Sequence, residues 1–314
     1  VMIMSVSRGN GGLSAEIVTG RILRWRQLKA NKLTASSIGG IVAGLLSFAL
    51  PVQALQVVVT PANPQLGDTL SVMIQVDGNG GETPKVSLQQ KNYPAFPIGN
   101  GRFRALLPTT PAEKPGARLV QVAGDGQVQK LSVQVRDRDF PTQSIWLPPG
   151  KDEEGTDAEF DRVDAFKALV TPEKFWDGKL LRPNSGEITT IYGVRRYYNG
   201  VFAQDYYHRG VDYAGAYGSP VVAPAAGRVS LVGRESQGFK IHGNVVGLDH
   251  GQGVASILMH LSRIDVKEGD VVKAGQVIGA LGSTGASTGP HLHWGLYVHG
   301  QSVDPVPWRL QGIE

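Results

Sequence analysis

The 314-residue sequence contains no cysteine, four methionines and few aromatics, 7% in all. The missing cysteine excludes disulfide staples, thiolate metal sites and lipid attachment through a cysteine. A chain of this length can bury its cores without cross-links. Basic excess is also missing where it would matter. Residues 1–54 hold six basic residues and one acidic, and the rest of the chain holds 25 basic against 26 acidic, so the net charge of +4 belongs to the first segment. A body without surplus positive charge argues against a nucleic-acid partner, which needs a phosphate-binding surface. The apolar run IGGIVAGLLSFAL is thirteen residues long, short of the ~20 that a membrane-spanning helix needs.

What the first segment does contain is RILRWRQLKANK before that run and PVQAL after it. A basic region, an apolar core and a small-residue cleavage pattern ending at Ala54 make up a secretory signal. Residues 1–54 are therefore expected to be a signal peptide or, uncleaved, an N-terminal anchor. Export to the periplasm or cell envelope follows in either case, with the inner membrane touched only through this segment.

Residues 55–138 switch to short alternating runs, among them QVVVT, TLSVMIQV, RFRALLP, ARLVQVAGD and KLSVQVR, separated by the turns PANPQLGD, DGNGG, GNG and GDG. Turns every eight to twelve residues predict an antiparallel sandwich, here immunoglobulin-like and without the disulfide, with one face of each strand buried. No titratable cluster lies on it, which suits a spacer or wall-contacting role. Residues 139–180 read as a linker carrying one short helix at AEFDRVDAFKALV, with Phe160, Val163, Phe166 and Val170 at helical spacing and a solvated acidic run at 152–154.

The chemistry is concentrated in residues 181–310. Of seven histidines in the chain, four fall at His208 in HRGVD, His260 in MHL, and His291 and His293 in PHLHWG; Asp212 completes HRGVD. His208 and Asp212 are four apart, His291 and His293 two apart. In strands, which the glycine, valine and proline content here favours, even separations face one way. A lone histidine on an apolar strand is ordinarily a core residue, but two same-facing imidazoles and a carboxylate with no cationic strand neighbour are costly to bury without a partner. Two histidines and an aspartate would give a metal three ligands and leave one position open. Nitrogen and oxygen ligation favours zinc, with other borderline metals possible. His242, His250 and His299, in glycine-flanked loops and turns, read as ordinary.

HRGVD, MHL and PHLHWG in this order, with GEITTIYGVRRYYNG, GSPVVAPAAGRV, GNVVGLDHGQG, KEGDVVKAGQVIGALGSTGASTG and a closing VDP around them, resemble the lysostaphin-type (LytM, M23) zinc metallopeptidase family. The resemblance implies a mainly β chain, the sandwich being followed by an antiparallel-β M23-type metallopeptidase domain. It implies that His208, Asp212 and His293 bind Zn2+ and that His291 and His260 flank the open site. It also implies a metalloendopeptidase acting on peptidoglycan stem peptides or cross-bridges, with cell-division or wall-hydrolase proteins as further partners. His291 is read as the group that takes the proton of water, and His260 as orienting water or stabilising the oxyanion; the two roles are interchangeable at this level.

Two readings compete. One is a non-enzymatic, wall-binding regulator of other hydrolases; the intact five-residue set argues against it. The other is a biotinyl-type or lipoyl-type carrier, which KEGDVVKAGQVIGALGSTG resembles, but no lysine is evident at an exposed hairpin tip. GSTGAST lacks the lysine–serine ending of a phosphate loop and reads as the approach to the ligand strand. Tyr197, Tyr198, Tyr206 and Tyr207 are candidates to line the cleft, but tyrosines near a strand end are at least as often packing residues, and none is read as catalytic.

Overall fold

Alternating apolar residues closed off by turns produce eight strands in the first part of the chain: β1 (Gln56–Thr60), β2 (Thr69–Gln75), β3 (Lys85–Leu88), β4 (Lys91–Tyr93), β5 (Phe96–Gly99), β6 (Arg102–Pro108), β7 (Gly116–Gly124) and β8 (Gln127–Val135). The computed structural model describes residues 55–76, 82–147, 155–204 and 206–313. The leader read in residues 1–54 and the acidic run at 152–154 lie outside the described residues. Among those residues, no helix is long and apolar enough to cross a membrane.

The eight strands form two antiparallel sheets, in the orders β1-β2-β6-β5 and β4-β3-β7-β8. Leu70, Val72, Ile74, Ala105 and Leu107 of the first sheet meet Val86, Val120 and Val122 of the second in one apolar core. The expectation of one buried face per strand fails for β2 and β6, because their other face is covered by the C-terminal half of the chain. Leu106 joins the core of that half. Thr69 Oγ1 accepts a hydrogen bond from Trp308 Nε1 at 3.1 Å. Arg104 donates to Gln252 Oε1 at 2.5 Å and lies 4.8 Å from the Trp176 ring centroid, and Arg138 pairs with Asp304 at 2.8 Å.

The connecting stretch holds more structure than a linker with one helix. Its first part is a strand, β9 (Thr142–Ile145), and the helix α1 (Asp157–Lys167) follows. TQSI has no apolar alternation to betray it as a strand; it becomes one only by pairing with a later segment. Thr156 caps α1 by accepting the Glu159 N–H at 3.1 Å. Of the four apolar positions at helical spacing, Val163 and Phe166 are buried on the sheet below, against Leu231, Phe239 and Ile257; Phe160 and Val170 remain exposed.

The C-terminal half contains β10 (Glu187–Thr190), β11 (Arg195–Tyr198), β12 (Val201–Phe202), β13 (Val211–Ala214), β14 (Pro220–Val222), β15 (Gly227–Gly233), β16 (Val245–Gly251), β17 (Val254–Met259), β18 (Leu261–Ile264), β19 (Val271–Val272), β20 (Val277–Leu281), β21 (His291–Val298), β22 (Gln301–Val303) and the short helix α2 (Pro305–Leu310). The main sheet runs β10-β13-β21-β17-β16-β15-β19, with β22 paired to the end of β21, and its neighbours are antiparallel throughout. Two smaller sheets, β14-β20-β18 and β12-β11-β9, flank it. The β9–β11 pair is parallel, the exception in an otherwise antiparallel set of described strand pairs. Tyr213, Leu292, Trp294 and Trp308 fill the core on one side of the main sheet.

Candidate metal centre

PHLHWG follows the strand expectation. His291 and His293 are the first and third residues of β21, while Leu292 and Trp294 point the other way into the core. The register of β13 on β21 sets Asp212 opposite His293 and Ala214 opposite His291, so Asp212 shares a face with both histidines.

HRGVD departs from it. Only Val211 and Asp212 lie in β13, and His208 sits in the loop before the strand. Backbone bonds from His208 N to the Val194 carbonyl and from Gly193 N to the His208 carbonyl, each 2.8 Å, hold that loop. His208 Nδ1 donates to the Ile191 carbonyl at 2.8 Å, which turns Nε2 toward Asp212. Gly210 permits the path: a Cβ there would stand 2.3 Å from the Trp294 carbonyl oxygen and 2.8 Å from His293 Nε2.

His208 Nε2, Asp212 Oδ1 and His293 Nδ1 form a triangle with edges of 2.9, 2.9 and 3.0 Å. Its members are 1%, 5% and 8% exposed, so their polar atoms are largely withdrawn from bulk solvent. Burial works to raise the Asp212 carboxyl, yet His208 and His293 keep it well below the usual carboxylate range. Burial also lowers His293 to about 4 against the pull of Asp212, which leaves that ring neutral at pH 7. With the Nδ1 proton of His208 committed to Ile191, the triangle gathers lone pairs. One proton can serve one edge; a divalent cation can serve all three corners. Among the described residues, no other group of three or more possible ligands converges in this way.

Arg196 of β11 was not visible from the sequence as a neighbour of Asp212. It donates from Nη2 to Asp212 Oδ2 at 3.2 Å and from Nη1 to the Tyr198 hydroxyl at 3.1 Å. Burial works against its charge, but Tyr198, Tyr206 and Asp212 around it hold its pKa above the ordinary value. The buried carboxylate therefore does have a cationic partner, from another sheet and sixteen residues back. No pattern within HRGVD could have signalled it.

His260 and His291 stand beside the triangle, their ring centroids 4.7 Å apart, with His260 6.4 Å from His293. His260 occupies the turn between β17 and β18 at φ 65°, a left-handed conformation that costs a β-carbon residue on the order of 1–3 kcal/mol when the surroundings impose it. Its Nδ1 donates to the Thr284 carbonyl at 2.8 Å. Burial first, then His291 and His293, push its pKa well below the usual imidazole value. His291 Nδ1 lies 2.8 Å from the Gly289 carbonyl and 3.2 Å from Ser287 Oγ. In both rings the carbonyl takes the Nδ1 proton, so each neutral ring presents Nε2 as a lone pair.

All five residues border one cleft of about 1120 Å³. The connecting stretch supplies part of its wall through Gln143, Ile145, Leu147 and Phe160. Tyr198 and Tyr206 line it, whereas Tyr207 is buried against Tyr192 and Tyr197 packs on Phe202. His242 also lines it, although its glycine-flanked setting marked it as ordinary. The other two histidines lie elsewhere. His250 is not a turn residue but a fully buried member of β16, bonded to the Ala226 carbonyl at 2.8 Å and the Ser256 hydroxyl at 2.9 Å, and His299 packs on Tyr93.

Residues 206–305 match the model of Peptidase family M23. The chain is 38% identical over 143 residues to the DD-carboxypeptidase/endopeptidase Mpg of Neisseria meningitidis serogroup B, covering 43% of this chain and 32% of that protein. It is 41% identical over 98 residues to the peptidoglycan DD-endopeptidase ShyC of Vibrio cholerae, covering 31% and 22%. The matched stretch thus spans about a third or less of these relatives' length. A solved structure of a Pseudomonas aeruginosa protein assigned to peptidase M23 superposes with a TM-score of 0.59 at 27% identity, covering 80% of this chain and 96% of that one. That coverage takes the likeness well beyond residues 206–305. Residues 206–305 are thus a domain of the Peptidase family M23 type, and the likeness in fold to that solved structure extends around it.

Proposed function

We propose that the chain is an exported zinc metalloendopeptidase that hydrolyses peptide cross-links of bacterial peptidoglycan. The observation that carries this reading is the triangle of His208 Nε2, Asp212 Oδ1 and His293 Nδ1 beside two further histidines that face the same cleft. Three ligands with an open side suit a catalytic metal, because structural sites are normally closed by four protein ligands. The substrate class is supported by relatives named for peptidoglycan or DD-peptide cleavage. The donor set of two imidazoles and a carboxylate favours zinc.

A zinc ion held by His208, Asp212 and His293 would supply Lewis-acid activation of water and of the scissile carbonyl. Arg196, on the second oxygen of Asp212, keeps Oδ1 turned inward. His291, half-exposed at the start of β21 and fixed at Nδ1 by Gly289, offers Nε2 to accept the proton of the attacking water and later to return it to the leaving amine. His260 is buried, which disfavours a lasting charge on it. Its Nε2 lone pair suits it to accept a hydrogen bond from the same water and so orient the attack. With Nδ1–H bonded to Thr284, the neutral His260 ring has no N–H left to donate to an oxyanion.

The test is digestion of purified peptidoglycan by residues 55–314, with mass analysis of the released fragments. New amine and carboxyl ends in stem peptides or bridges, lost with a chelator, restored by Zn2+ and lost in His291→Ala, are the expected result. Bound zinc without any fragment would overturn it in favour of a wall-binding regulator.

A further inference from the structure

Helix α1 begins with Thr156-Asp157-Ala158-Glu159, the spacing of a capping box, in which the glutamate reaches back to the N–H of the capping residue. Glu159 does not. Its side chain is completely buried and is turned away from its own helix toward the 240–242 segment. There it accepts the Lys240 N–H at 2.9 Å, the Ile241 N–H at 3.1 Å, the His242 N–H at 2.7 Å and the His242 Nδ1–H at 2.6 Å. Burial opposes its charge, but the bonds from His242 and Ile241 hold its carboxyl below the ordinary value. A buried carboxylate with four donors from one short segment is a rigid clamp.

What the clamp holds is the mounting of His260. The His242 carbonyl accepts the His260 N–H at 3.1 Å. The other mount, the Thr284 carbonyl on His260 Nδ1, is tied to that segment and to Asn244 just beyond it. Asn244 N donates to Thr284 Oγ1 at 2.9 Å, and Ala286 N donates to the Ile241 carbonyl at 3.1 Å. The fit is close, since a Cβ on Gly243 would stand 2.5 Å from the Thr284 carbonyl carbon. His260 sits in a left-handed conformation that persists only when its surroundings fix it. Both of its anchors trace back to Glu159.

We propose that Glu159, from a helix outside the segment matched to peptidase family M23, is a positioning residue for His260, acting through the 240–242 segment. The inference rests on the proposed hydrolysis reading, in which His260 orients the attacking water. Glu159 neither lines the cleft nor bonds to His208, Asp212 or His293, so its loss is expected to move the rate of the chemical step and to spare the metal and the binding of substrate.

The experiment compares wild type, Glu159→Gln and Phe166→Leu. The last weakens the packing of the same helix without touching the clamp. Each is assayed below its own unfolding midpoint on a soluble cross-linked peptide, with zinc content and the backbone amide shift of His260 recorded. Expected for Glu159→Gln is a kcat lower by about 10–100-fold, the range for groups that orient a site residue from behind. KM should stay within about twofold, zinc should remain stoichiometric, and the His260 amide should move as its bond to His242 loosens. Phe166→Leu should keep kcat and the amide position. If Glu159→Gln fails to fold, Glu159→Asp, which keeps the charge but shortens the reach, carries the same expectation. A kcat no lower than that of Phe166→Leu, or an unmoved His260 amide, overturns the proposal. Wild type that cleaves nothing would instead remove the hydrolysis reading, and the amide shift would still report on the clamp.

Discussion

Asp212 and His293 face each other across neighbouring strands with Oδ1 and Nδ1 2.9 Å apart, and His208 Nε2 closes on both from a loop. Because three buried lone-pair donors converge on one point, Asp212→Asn is expected to abolish stoichiometric metal binding. His293→Ala should do the same. Metal analysis after dialysis reads the result; full zinc occupancy in either variant would refute the assignment of these ligands.

The two histidines outside the triangle are expected to behave differently. His291→Ala and His260→Ala should each retain zinc while losing about 10²–10⁴-fold in kcat, the span for a lost acid–base group. A variant that loses metal in parallel with rate would move that residue into the ligand set.

Gly210 separates backbone fit from chemistry. Gly210→Ala puts a methyl group 2.3 Å from the Trp294 carbonyl oxygen and 2.8 Å from His293 Nε2. The 206–210 loop must retreat, carrying His208 away from Asp212. A lower melting temperature and a weaker zinc affinity are expected together, although no ligand has changed. Unaltered affinity by competition with a chromogenic chelator would show that the loop has room to spare.

His250 gives a pH dependence that involves no metal ligand. Burial lowers its pKa to about 4, against opposing contributions from Ala226 and Asp249, while in the unfolded chain it titrates near about 6.5. Above about pH 6.5 neither state binds the proton and full stability is present. As pH falls from about 6.5 toward the folded value, the unfolded state gains a proton that the folded state refuses, and stability drops by about 1.4 kcal/mol per pH unit from this group alone. Urea unfolding of metal-free protein at pH 7, 6 and 5 should show a slope that contains this contribution beside those of His260, His293 and His299, and His250→Gln should make it shallower. Parallel slopes would mean that His250 is not buried neutral.

Most of the candidate metal centre was legible because PHLHWG is a strand in the structure as in the sequence, and strand periodicity is a local property. His208 reached the site by a different route, through a loop held by Val194, Ile191 and the missing Cβ of Gly210; its even spacing from Asp212 gave the right partner for the wrong reason. Arg196 and Glu159 were illegible for a common cause. Each acts on a segment that is distant in the chain, and neither forms a motif with its target. The buried outer face of β6 was hidden likewise, since Leu106 reads as one residue of an ordinary alternating strand until the second half of the chain covers it.

Leu106 has a consequence for how the two halves can be parted. By chain order it belongs to the sandwich, but its side chain belongs to the core containing Trp176, Trp294 and Trp308. Cutting the polypeptide between the halves would leave a leucine-sized hole in one product and a bare leucine on the other, beside an Arg104 stripped of Gln252. Exchanging sandwiches among relatives would import a foreign plug into that hole. The two halves are therefore expected to travel as a matched pair, each bearing the imprint of the other.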